Sequence, residues 1–171
     1  MQAAGDRLLH GMTDPRTIAT LRSLLPTGTA GHVETLLARH PCVVRLARPR
    51  RTKLGDHRPP GRGRPWHRIS VNGNLNPFAL LVTLLHEIAH ALTWERHERD
   101  RCRGRRPRPH GAEWRREYAA LLEAVIALDV LPADVTSALG RSLVRPAAAT
   151  CSDRDLLLAL GRHDRVDRGL V

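Results

Sequence analysis

The chain has 171 residues, 42% of them apolar, which suits one folded domain with a small appendage and excludes a disordered chain. Aromatic residues make up only 3%, so the core must be aliphatic, while 28 basic against 17 acidic residues give a net charge of +11 and bring polyanions into the set of candidate partners. Residues 1–13 lack the basic-then-apolar pattern of a signal peptide, and no uninterrupted apolar run is longer than Phe78 to Val82, far below a membrane span. Cys42, Cys102 and Cys151 are odd in number, widely spaced and free of any C-x-x-C pair, which argues for a reducing, cytoplasmic compartment and against a zinc ribbon or disulfide framework.

In chain order, Asp14-Pro15 opens a helix expected to reach Leu25, with Ile18, Leu21 and Leu25 on one side and Pro26 as its stop. A second helix is expected from His32 to Arg39, burying Val33, Leu36 and Leu37 before Pro41 ends it. Cys42 to Ala47 is β-branched and apolar, and Arg68 to Val71 alternates, so two strands are expected on either side of segment 48–66. Asn72-Gly73 is a turn signal leading to Asn76-Pro77, an N-cap followed by a first-turn proline.

The helix opened there carries His86-Glu87-Ile88-Ala89-His90, an H-E-x-x-H pattern. Phe78, Leu81, Leu85, Ile88 and Leu92 recur at steps of three and four, predicting one apolar face. Residues i and i+4 share a helix face, so His86 and His90 present two imidazoles to one metal ion, and Glu87 stands where it can work on a water held by that ion. With 10 His and 7 Glu in the chain, chance supplies only roughly 0.02 such matches. A catalytic zinc normally takes a third protein ligand. The metzincin spacing requires Gly at position 93 and His at position 96; Thr93 and Arg96 stand there, and His97 is one residue out of place. His110, Glu113 and Glu117 remain as downstream candidates. Residues 111–128 read as a helix burying Trp114, Tyr118, Leu121, Leu122, Val125 and Leu128; Tyr118, eight residues past His110 and so about 12 Å along an axis, looks too distant to assist chemistry. Pro132 to Leu143 and Asp153 to Leu160, capped by Ser152, are further helices, and the tail beyond Asp164 is polar and expected to be disordered.

T-L-L-H-E-I-A-H-A-L followed by H-G-x-x-W, with R-T-K-L-G-D and H-R-I-S-V-N upstream, resembles the SprT-like (Spartan) family of DNA-associated zinc metallopeptidases. The likeness spans residues 32–128 in four stretches. It implies His110 as third ligand beside His86 and His90, one Zn2+ per chain, Glu87 as the catalytic base, and protein substrates bound or crosslinked to DNA. It also implies an α+β, zincin-like fold, a small antiparallel β-sheet packed on the H-E-x-x-H helix with flanking helices, in which a strand beside the cleft pairs with extended substrate. The domain expected on this basis is 1–128, with a helical extension over 129–164 and a disordered tail over 165–171. The zinc ribbon that follows the domain in some bacterial relatives is not seen in the tail.

Charge is uneven: residues 45–68 hold nine basic residues and one acid, and 96–108 hold seven and two, so these 37 residues carry +13 and the other 134 carry −2. A clustered basic stripe suits a polyanion, and the second cluster lies between two proposed ligands, His90 and His110. Against this, 27 Arg to a single Lys, Lys53, is also what a compositional bias gives. The residues proposed to meet DNA, single strands included, are Arg50, Arg51, Lys53, Arg62, Arg64, Arg101, Arg103, Arg105 and Arg106, with Trp66 stacking on bases. The expected activity is zinc-dependent endopeptidase cleavage of DNA-associated protein in the cytoplasm, or at the nucleoid of a bacterium. The alternatives are a zinc peptidase whose arginines have no nucleic-acid role, and a non-enzymatic nucleic-acid-binding module with a structural metal.

Overall fold

The computed structural model of the chain describes residues 13–144 and 154–164; the expected Ser152 cap, Cys151, the 165–171 tail and the Arg101 side chain lie outside the described residues. Helix α1, Pro15–Leu24, starts where the Asp14 carboxylate accepts the Arg16 N–H, and α2, Ala30–Arg39, starts two residues before the expected His32. Strand β1 is Cys42–Ala47, β2 is Gly55–Arg58 and β3 is His67–Asn72. They form one sheet in the order β1-β3-β2.

That sheet corrects the expectation of an antiparallel one: β1 pairs with β3 in parallel, Cys42 opposite His67, and only β2 runs antiparallel to β3, Gly55 opposite Val71. The reason lies in β2, whose Gly-Asp-His-Arg has no apolar alternation to announce a strand. β2 doubles back beside β3 through a loop pinched by the Gly61–Arg64 bridge and takes one side of it, and β1 lies on the other side, running in the same direction as β3. The preceding loop is held by Asn72, which accepts from Arg50 Nε at 2.8 Å and donates to the carbonyls of Arg50 and Lys53. The outer edge of β1 is engaged by Thr13, whose hydroxyl donates to Cys42 O and accepts from Val44 N–H, both at 3.0 Å.

Helix α3, Pro77–Arg96, begins as expected: Asn76 caps it by accepting the Ala79 N–H, and Pro77 occupies its first position. The expectation of a single apolar face is too narrow. Residues from Leu80 to Ala89 are buried without a break, because sheet and helices cover α3 on several sides. By length and composition α3 also resembles a membrane span, with mean hydropathy 1.2, but 72% of that window is buried inside the fold, as in a core helix. A short helix α4, Glu98–Cys102, follows, then α5, Ala112–Ile126, which packs along α3. Helices α6, Ala133–Val144, and α7, Arg154–Gly161, pack on each other, and α7 reaches the start of α3. There the Asn76 amide donates to Leu160 O at 2.9 Å and Asp164 Oδ1 at 2.6 Å, while His163 packs edge-on to Phe78 and bonds Asp134 at 3.2 Å.

Candidate metal centre

His86 and His90 stand one turn apart on α3, and the third histidine arrives from a tight turn. Gly111 N–H donates to Arg108 O, and of the two residues between them His110 has φ +57°, a left-handed conformation that a non-glycine residue seldom holds. The turn leads directly into α5, whose N-cap is Gly111. His110 Nε2 then lies 3.1 Å from His86 Nε2 and 3.2 Å from His90 Nε2. Nitrogens about 2.0–2.1 Å from one tetrahedral metal would lie roughly 3.3–3.4 Å apart, close to the two spacings seen here. These three residues can hold a metal ion.

The surroundings favour the neutral, ligating form of each imidazole. Burial, reinforced by the other two histidines, pushes His86 down to about 3; burial and His110 push His90 to about 4; burial lowers His110. Trp114, 1% exposed, is the shared floor, with ring centroids 4.6, 5.3 and 4.7 Å from those of His86, His90 and His110. Tyr118 stacks on Trp114 at 4.8 Å and meets His86 at 5.6 Å. The Tyr118 ring is therefore nearer the histidines than the expected separation, since distance measured along α5 from His110 ignores that α5 lies beside α3.

Glu87, 7% exposed, faces β2, and burial followed by the nearby Asp56 raises its carboxyl to about 8, against the opposing pull of Lys53 and Arg50. Glu117, one of the alternative third ligands, is instead paired with Arg96 at 3.1 Å. Behind His90 runs a line of side chains given no role from the sequence. His57 on β2 lies parallel to the His90 ring at 5.8 Å and bonds His67 Nδ1 through Nε2 at 2.8 Å. His67, 1% exposed, approaches Glu95 at 3.5 Å, and Glu95 bonds His40 at 2.6 Å. Burial would raise the Glu95 carboxyl, but its interactions with His67 and His40 win and hold it below its usual value; burial, then His67 and His90, push His57 down to about 3.

No protein-family model, no curated protein and no solved structure matches this chain.

The basic residues divide. Arg50 is turned inward onto Asn72 and Ser70, Lys53 pairs with Asp56 at 2.7 Å, Arg64 donates to Pro59 O, and Arg105 pairs with Asp100 at 3.1 Å. Arg51, Arg62, Arg103 and Arg106 are exposed, and Trp66 is half-buried at the foot of β3. Arg105, Arg106 and Arg108 line a cavity of about 360 Å³ that also touches Gly111, the residue after the third histidine.

Proposed function

We propose that this chain is a zinc-dependent endopeptidase of the SprT-like type, with a zincin-like fold, acting on protein associated with DNA. The observation that carries the reading is the convergence of the His86, His90 and His110 Nε2 atoms at 3.1–3.2 Å beside a buried carboxylate, Glu87, next in sequence to one of them. A purely structural metal site has no use for that carboxylate. His86, His90 and His110 would hold a zinc ion, which would supply Lewis acidity and lower the pKa of a coordinated water to about 7. Glu87 would then take a proton from the attacking water and pass it to the departing amine. Strand β2 is an edge strand among the described residues, so an extended substrate segment can add beside it through main-chain hydrogen bonds, without its sequence being read. The Arg-lined cavity adjoining Gly111 supports a DNA surface close to the metal centre, since phosphates need clustered cationic donors.

A second reading has its own support. Arg50, Lys53, Arg64 and Arg105 are engaged within the chain, which favours a zinc peptidase without a nucleic-acid role. One experiment separates the readings: cleavage of a DNA-binding protein substrate, with and without DNA, by wild type and Glu87→Gln. The proposed function requires cleavage that needs Glu87 and rises with DNA. Cleavage indifferent to DNA leaves the second reading, and none at all leaves a metal-stabilised binding module.

A further inference from the structure

We propose that Gly55 is a positioning residue for the candidate base: the missing side chain at this point of β2 lets the strand close over Glu87 and fixes where its carboxylate stands relative to the three histidines. This rests on the reading of Glu87 as proton acceptor. Gly55 and His57 share one face of β2, the face turned to α3, so the strand sets one bare backbone position against Glu87 and one imidazole against His90. A Cβ at Gly55 would meet Glu87 Oε1 first, with Cγ and Cδ at 2.8 and 2.9 Å, closer than side chains pack. The glycine is not there for its backbone freedom. The positive-φ glycines among the described residues are Gly28, Gly63 and Gly104, and Gly55 is not among them. A glycine inside a strand otherwise weakens it, so what this position gains is room.

Neither partner can step aside. Gly55 is held in register opposite Val71, Asn72 N–H bonds Leu54 O at 2.9 Å, and two residues on, His57 is bonded to the buried His67. Glu87 is fixed by the middle of a helix packed on several sides. A methyl group at position 55 must therefore displace the carboxylate, while His86, His90 and His110 contact Trp114 on the far side and keep their arrangement.

The test is Gly55→Ala alone and combined with Glu87→Ala. Gly55→Ala should retain full zinc content, lose about 10–100-fold in kcat as expected for a displacement near 1 Å, and leave KM within about twofold. Its melting temperature should fall in the wild-type background and fall less, or not at all, when Glu87→Ala has removed the side chain it collides with. If Gly55→Ala fails to fold, recovery of folding in the double variant supports the same conclusion. Equal losses of stability in both backgrounds, or wild-type kcat in Gly55→Ala, would overturn it. Should the wild type hydrolyse nothing, the peptidase reading fails, and the stability comparison still decides whether Gly55 makes room for Glu87.

Discussion

His110 shows what a single residue contributes to the candidate centre and what it costs. Its left-handed backbone is of a kind that adds on the order of 1–3 kcal/mol of strain, which persists because the Arg108–Gly111 turn and the start of α5 determine it from both sides. No sequence pattern announces a positive φ at a histidine; the H-G pair was legible only as part of a family likeness. Alanine at position 86, 90 or 110 should empty the site, measured as zinc per chain after dialysis, whereas Glu113→Ala and Glu117→Ala should retain metal because Glu117 is committed to Arg96. Metal loss in Glu117→Ala with retention in His110→Ala would reverse the ligand assignment. Protonation gives a second expectation at this scale. His57, His86 and His90 titrate lower folded than unfolded, so in metal-free protein their contribution is complete above about pH 6.5 and is lost as pH falls toward 4 and 3. Glu87 runs the other way: its raised pKa gives a contribution complete below about pH 4.5 and lost as pH rises through 8. Urea unfolding of metal-free Glu87→Gln should therefore lack the decline that Glu87 gives the wild type between about pH 6.5 and 8, where the three histidines no longer oppose it, while keeping the acid one; parallel curves for variant and wild type across that range would contradict the assignment.

Among the elements, α3 was readable because three signals agree: the Asn76 cap, the first-turn proline and apolar steps of three and four. Its nearly complete burial was not, since helical spacing reports a helix's own pattern and says nothing of how many neighbours will cover it. Strand β2 escaped because Gly-Asp-His-Arg spends its inward positions on room for Glu87 and on an imidazole instead of on apolar side chains. The parallel pairing of β1 and β3 was hidden with it. The line His57–His67–Glu95–His40 was invisible for a related reason: its members come from β2, β3, the end of α3 and the residue after α2, and only the sheet brings them together. Glu95→Gln removes the charge that bonds His40 and faces His67. It should cost about 1–3 kcal/mol of stability and loosen β2 from α3, seen as faster amide exchange over residues 55–58. Unchanged exchange there would show that the line does not hold the strand.

Across the whole molecule, the uneven charge was fully legible, but its meaning was not, because composition cannot say which arginines are already occupied. The structure engages Arg50, Arg64 and Arg105 within the chain and leaves Arg51, Arg62, Arg103 and Arg106 exposed. Neutralising Arg101, Arg103, Arg105 and Arg106 together should weaken DNA binding and flatten its salt dependence on single strands by about 0.7 log–log units for each phosphate no longer neutralised, with zinc content unchanged. The same variant should lose DNA-stimulated cleavage and keep basal peptide hydrolysis. Identical binding isotherms for variant and wild type at low and high salt would mean that this basic segment serves no polyanion.

The grip of Asn76 on Leu160 and Asp164 also sets an order in time. The residue that starts the helix carrying His86 and His90 is bonded to partners made 84 and 88 residues later, and Leu160 follows His110, the last of the candidate ligands, by 50 residues. At about 5–20 residues per second, roughly 3–10 s of synthesis separate the two. During that interval a growing chain owns all three ligands while the first turn of their helix is capped from one side only. Completion of the candidate centre thus waits on residues made after it, and residues remote from the three histidines decide when their helix is finally clamped.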